Sequence, residues 1–207
     1  MLNMIHPDDQ QLISHLRDLG KGWWIAGGTP LRWYQNRPAD SDIDLFFHDQ
    51  RDLDAMQHQL ERMKEDYSNL NGLWDRTRGR APMLVSRTHA TTNAISYDVQ
   101  VLGKDDSYDI YNVQLIRRRF YDSAEAVLED FDISVCQIVV DHEERVYVGE
   151  HFARDVADRR LRFVNITPTS AKRLIKYWVY GFQPDDDTVR RIMDAPDLNL
   201  ARSDDDY

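Results

Sequence analysis

The sequence predicts a mixed α/β (α+β) fold: a mixed central sheet flanked by helices, with a short helical extension at the C-terminal end. Three observations predict it. Two short apolar runs, Trp23–Ala26 and Asp42–Phe47, flank a segment long enough for one helix. A clear amphipathic helix follows, and then three more strand-like runs between residues 83 and 117. A last strong helical pattern falls at Pro168–Tyr180. The expected division is a core over residues 1–150 and a helical extension with an acidic tail over 151–207.

Each element has its own local signal. Pro7 opens a helix over Asp8–Leu19, with Leu12, Leu16 and Leu19 on one face and Gly20 as the stop. Trp23–Ala26 reads as a buried strand ending at Gly27–Gly28, and Thr29–Asn36 as a short helix broken before Pro38. In Arg51–Glu65, Leu53, Met56, Leu60 and Met63 recur at helical spacing. Ser68–Arg80 reads as a loop, followed by strands at Met83–Ser86, Ala94–Leu102 and Val113–Arg117. The last two strands are joined by a loop containing Gly103–Asp106. Asp122 is placed to cap a helix over Ser123–Asp130, with Glu125 as its capping-box partner. Phe131–Val140 reads as strand, with Arg145–Val148 able to pair with it, and Phe152–Leu161 as a polar helix. In the final helix Thr167 is the expected cap, Pro168 the first residue and Gly181 the stop, with Ala171, Leu174 and Trp178 able to face the core.

Composition bounds the function. The 207 residues are 42% hydrophobic and 11% aromatic, enough for a sizeable core. No run of about 18 apolar residues predicts a membrane span, and the first nine residues lack a signal-peptide layout. A net charge of −10 argues against broad electrostatic binding to DNA, though not against a local basic groove. The acidic runs Asp185–Asp187 and Asp204–Asp206 read as solvated loop and tail. The single cysteine, Cys136, lies in an apolar run and reads as a buried small side chain, which fits a reducing cytoplasm. The seven histidines show no His-x-x-x-His spacing, and no hydrolase elbow surrounds Thr29.

The chemistry concentrates in two places. A strand that ends in Gly27–Gly28 and opens a helix lets an anion approach the backbone closely. Alone, such a pair equally makes a tight turn. Asp42 and Asp44 flank Ile43, and residues i and i+2 of a strand point to the same side. Two such carboxylates repel unless a cation or a shared proton relieves them, and hard oxygen ligands favour Mg²⁺ or Mn²⁺. Alone, Asp-x-Asp equally occurs in surface loops. Together the two features put a phosphate cradle beside a metal clamp.

At this point the sequence resembles a family. The stretch WWIAGGTPLRWYQNRPADSDIDLFF is similar to the signature of the DNA polymerase β-like nucleotidyltransferase superfamily: a hydrophobic strand, Gly-Gly, a helix, then Asp-x-Asp in a hydrophobic strand. The segments NAISY, YNVQLIRRRF, AEAVLEDFDISVCQIVVD and KRLIKYWVYGF resemble nucleotidyltransferase-like proteins of bacteriophages and large DNA viruses. The resemblance covers most of residues 23–182 and implies a polymerase β-like fold. It implies that Gly27 and Gly28 hold the triphosphate of an NTP, with Thr29 as a hydroxyl donor. It further implies that Asp42 and Asp44 are catalytic carboxylates binding Mg²⁺ or Mn²⁺ for two-metal in-line displacement. The implied acceptor is an RNA 3′ end, such as that of a tRNA, or a protein side chain, and the implied location is the cytoplasm, the host's if a phage encodes the chain.

The family places a third carboxylate on a neighbouring strand, where this sequence has Gln114. Asp98 is the first substitute by strand position; Asp132 is another, though it could equally cap or terminate an element. With no substitute, the chain would be a catalytically degenerate nucleotide-binding protein, or a regulatory or interaction protein of viral type, on the same fold. Lys172, Arg173 and Lys176 form a basic stripe able to grip the outer phosphates, Lys172 and Lys176 foremost, or else an ordinary solvated face. Alternation would send Arg117 and Arg119 to one side and Arg118 to the other, towards an acceptor or towards nearby acids. Trp74 with Arg76, Arg78 and Arg80 forms a second basic loop able to touch RNA.

Overall fold

A computed structural model describes residues 4–38, 42–70, 83–102 and 107–195. The loop of Trp74, Arg76, Arg78 and Arg80, the loop at 103–106 and the acidic run 204–206 lie outside the described residues. The elements in chain order are α1 (Gln10–Leu19), β1 (Trp23–Ala26), α2 (Gly28–Tyr34), β2 (Ile43–Phe47) and α3 (Gln50–Leu70). Then come β3 (Met83–Ala90), β4 (Ala94–Leu102), β5 (Tyr108–Ile116), α4 (Ala124–Asp130), β6 (Ile138–Asp141) and β7 (Val146–Val148). Last are α5 (Phe152–Ala157), β8 (Arg160–Leu161), α6 (Ser170–Val179), β9 (Gln183–Pro184) and α7 (Asp186–Met193).

Seven strands form one sheet in the order β3-β4-β5-β2-β1-β6-β7, and β8 and β9 form a separate parallel pair. The sheet is mixed, as expected. Its neighbours are antiparallel except at the centre, where β2 runs parallel to β5 with Asp44 opposite Gln114. Alternation divides the strands between two faces. Ile25, Ile43, Leu45, Phe47, Val113 and Leu115 point into the largest core, which α1 and α3 cover with Leu12, Leu16, Leu53, Met56 and Leu60. Ala26, Phe46, Ile116 and Val139 point the other way, under Val127 and Leu128 of α4. That helix covers only the Phe46 end of β2. Asp44, two residues earlier and on the same face, is left at the helix's margin. A third cluster joins Ile133, Val135 and Ile138 to Phe152, Tyr177, Phe182 and Ile192, so α5, α6 and α7 share apolar packing with the end of the sheet.

Several local expectations are corrected. Ser123, not Asp122, caps α4, accepting from the Ala126 N–H at 3.2 Å. Phe131–Val140 is not one strand: Ser134–Cys136 make a single 3-10 turn and the strand begins at Ile138. The run is mostly apolar because turn and strand are both largely buried, a case periodicity cannot resolve. The helix at Phe152 ends at Ala157. Arg159 takes a left-handed φ of 52°, and Arg160–Leu161 pair with Gln183–Pro184. In α6 the first residue is Ser170, whose Oγ accepts from the Thr167 N–H at 2.8 Å, so Thr167 lies outside the helix. Ala171 and Leu174 pack against the core as expected, but Tyr177 is the buried aromatic of α6 and Trp178 is exposed. Gly181 does end the helix, at φ 88°.

The acidic run at 185–187 is structured. Asp185 caps α7, accepting from the Thr188 N–H at 2.8 Å, and pairs with Arg160. The strand carrying the three arginines ends at Ile116, so alternation does not govern them. Arg118 and Arg119 both bond Asp130, at 2.8 and 2.9 Å, and Arg117 bonds the carbonyls of Thr91 and Thr92.

Candidate functional site

The glycine turn forms where β1 enters α2. Gly27 has φ 78°, a left-handed conformation that favours glycine. A Cβ built there would come within 2.8 Å of the Phe131 ring, whereas one on Gly28 would meet nothing within 4 Å among the described residues. The backbone at Gly27 is thus fixed by packing, and the space over Gly28 is open. Thr29 is buried, and its hydroxyl donates to the Asp42 backbone carbonyl at 2.8 Å. That bond fastens the first turn of α2 to the start of β2. It holds the two halves of the motif together and commits the hydroxyl hydrogen.

Asp42 precedes β2 at the rim, and Asp44 is half-buried within the strand. Burial pushes the Asp44 carboxyl up to about 7; Asp42 beside it raises it further, and the Lys176 ammonium pulls it back. Asp42 is raised for the same first reason, with Lys176 lowering it and Asp98 raising it. Lys176 is therefore close enough to act on both carboxylates. Lys172 lies one turn earlier in α6 and is exposed. Arg173, the third member of the stripe, is bound to Asp132.

Asp98 is linked to the pair through two amides. Its Oδ1 accepts from Asn112 Nδ2 at 3.0 Å. Gln114 Nε2 donates to Asn112 Oδ1 at 3.3 Å and to Asp42 Oδ2 at 2.8 Å. Two amides thus stand between the carboxylates of Asp98 and Asp42. Asp132 is buried and serves α6: besides Arg173, it accepts from the Thr167 hydroxyl at 3.2 Å. Cys136 is buried as expected, its thiol pushed up to about 12 by burial, and it donates to the Tyr177 hydroxyl.

A divalent cation fits Asp42 and Asp44. Asp44 Oδ1 is buried with no hydrogen-bond partner among the described residues, which is costly for a carboxylate unless a proton or a cation meets it. A second acidic group, missed in the sequence reading, lies at the far end of β2. There, ligand atoms of His48, Asp49 and Asp52 lie within 4.8 Å of one another. Its spacing, His-Asp-x-x-Asp across a strand-to-helix junction, is one that a search for paired histidines passes over. Asp49 is engaged in opening α3, accepting from the Asp52 N–H at 2.8 Å, and also meets Arg51.

The raised carboxyl gives a prediction. Its folded-state pKa lies above its unfolded value, so the folded protein holds the extra proton between about pH 4 and 7, and stability falls as pH rises through that window. The loss is on the order of 2–3 kcal/mol, reduced from the full shift because the site is only partly closed to water. Asp44→Asn is expected to flatten the pH dependence of the melting temperature over that window in metal-free buffer. A slope identical to the wild type's would contradict the assignment.

No helix among the described residues is long and apolar enough to cross a membrane. Solved structures share the fold. A Bacillus stearothermophilus CCA-adding enzyme in complex with CTP matches with TM-score 0.55 and 16% identity, over 92% of this chain and 44% of that one. A tRNA-processing enzyme in an apo form matches with TM-score 0.57 and 14% identity, over 92% of this chain and 48% of that one. The chain therefore spans less than half the length of these structures, and the likeness establishes a nucleotidyltransferase-type fold. No curated protein matches the sequence. Residues 2–159 match the family described as Gad2, Gabija anti-defense 2 family protein, and the chain belongs to that family.

Proposed function

We propose that the chain is a metal-dependent nucleotidyltransferase that moves a nucleoside monophosphate from an NTP to a hydroxyl acceptor, and that this activity underlies the anti-defense role in its family's description. The observation that carries the reading is the Asp42–Asp44 pair: two carboxylates on one side of β2, one with an orphaned buried oxygen, fastened by Thr29 to an open glycine turn. Mg²⁺ or Mn²⁺ held by Asp42 and Asp44 would supply the positive charge that binds a triphosphate and activates an attacking hydroxyl. The chain's own residues do the rest. The open backbone at Gly28 admits the phosphates, and Lys176, with Lys172 behind it, adds positive charge on the same side. The acceptor is an RNA 3′ end, as the tRNA-processing neighbour suggests, or a protein hydroxyl. Catalysis here is positioning and charge neutralisation, with no covalent protein intermediate.

The test is incubation with each α-³²P-labelled NTP and Mg²⁺, with candidate RNA and protein acceptors, including components of the Gabija defense. Pyrophosphate release with label in the acceptor is the expected result; absence of both with every acceptor would defeat the reading. One observation favours a second reading. Gln114, opposite Asp44, is neutral where a third carboxylate would stand, which suits a protein that binds NTP without turnover. That reading expects Mg²⁺-dependent NTP binding, and any pyrophosphate release excludes it.

A further inference from the structure

The polar groups beside the carboxylate pair form a chain whose direction can be read from its ends. A carboxylate accepts and does not donate, so the Asn112 atom facing Asp98 is its NH₂. The Asn112 carbonyl then faces Gln114, which must offer its own NH₂. The same NH₂ faces Asp42 Oδ2, a carboxylate at the other end. An amide side chain is usually ambiguous in which end carries nitrogen; here both termini impose the same answer. Gln114 is itself buried at 4% exposure, on the strand paired in parallel with β2 and directly opposite Asp44.

We propose that Gln114 is a positioning residue that stands where a third cation ligand would otherwise come from, and that it holds Asp42 by one oxygen so that the other oxygen and Asp44 make a two-carboxylate cation site. Asp98 sets the sense of this chain through Asn112. The inference rests on the transferase reading of Asp42 and Asp44 as cation ligands. It adds that the site is weaker in negative charge than a three-carboxylate one, and that its geometry depends on a neutral donor. Loss of an outer partner that orients a metal ligand typically weakens binding by about 10–100-fold.

The experiment is Mn²⁺ binding to the full chain at pH 8, read from the electron paramagnetic resonance signal of unbound Mn²⁺ and, separately, from the melting temperature with and without Mn²⁺. Gln114→Met keeps the bulk and removes the donor; it is expected to weaken Mn²⁺ binding about tenfold or more. Gln114→Glu removes the donor and adds a charge. It is expected to bind Mn²⁺ at least about tenfold tighter than wild type, and to melt lower than wild type in EDTA because three carboxylates then crowd one face. Wild-type affinity in Gln114→Met would overturn the positioning role. Failure of a folded Gln114→Glu to tighten binding would overturn the placement at the third station, and if that variant does not fold, Gln114→Met decides alone. Asp42→Ala keeps the two ideas apart. If it binds Mn²⁺ like wild type, the transferase reading of the pair has failed and this proposal with it; if it alone loses Mn²⁺, only the role of Gln114 is overturned.

Discussion

Replacing Asp42 and Asp44 together with alanine is expected to abolish nucleotidyl transfer while raising the melting temperature of the metal-free protein at pH 8. The two halves of the result come from one cause. A half-buried carboxyl held up to about 7 is ionised at pH 8 against the preference of its surroundings, and its neighbour Asp42 adds repulsion. Removing both charges relieves the fold. It also removes the ligands of the proposed cation, which would supply several kcal/mol of transition-state charge stabilisation. At about 1.36 kcal/mol per decade, the loss is on the order of 10³-fold or more. Rate is followed by label transfer from α-³²P NTPs, stability by thermal melting in EDTA. A double variant that transfers label at the wild-type rate would defeat the assignment. A variant that loses transfer but also melts far below wild type would point to a structural role for the pair.

The second large effect lies at the other end of α2. Arg32 and Asp9 form an ion pair at 2.7 Å in which both side chains are fully buried, and the Trp33 indole N–H also donates to Asp9. Asp9 sits at the cap position of α1, yet its side chain makes no capping bond, because it is turned towards α2. Its second oxygen, Oδ1, has no hydrogen-bond partner among the described residues. Removing one member of such a pair leaves a buried charge uncompensated, a loss of about 3–5 kcal/mol. Asp9→Ala and Arg32→Met are each expected to lower the urea midpoint accordingly with an unchanged slope. The double variant Asp9→Leu with Arg32→Met is expected to lose much less than the sum, since apolar side chains of similar volume fill the space. Strict additivity would show that the pair is not coupled.

Much of this protein could be read along the chain because much of it is local. The strand at Trp23–Ala26 and the strand at Ala94–Leu102 are where periodicity places them, and the glycine turn and Asp-x-Asp fall within 20 residues of sequence. What was not legible depends on partners far away. The turn at Ser134–Cys136 is buried like a strand, its Ser134 hydroxyl satisfied by Asp155 on α5. Thr167 is not the cap of α6, which is Thr169; its hydroxyl turns instead to Asp132, 35 positions earlier. The acids at 185–187 form a helix start only because Arg160 and the Thr188 N–H meet Asp185. In the candidate site, the chain from Asp98 to Asp42 follows from strand register, which composition does not reveal; a neutral Gln114 beside Asn112 is visible in the sequence, but the direction of its hydrogen bonds is not.

The single parallel pairing at the middle of the sheet has a kinetic consequence. On one side β3, β4 and β5 form a meander of neighbours in sequence; on the other, β1 and β2 pair across one short helix. The β3–β5 meander and the β1–β2 pair are each short-loop units, and β6 joins β1 from far along the chain. Joining them along β2 and β5 brings Gln114 to Asp42, 72 positions away. Closing a loop of that size is entropically slow, and contacts of such separation form late in folding. The two carboxylates proposed as cation ligands therefore lie on one unit, while Gln114 reaches Asp42 only when the two units dock. Under the proposed function, competence would then be a property of the completed sheet, and no partly folded chain would carry the assembled site.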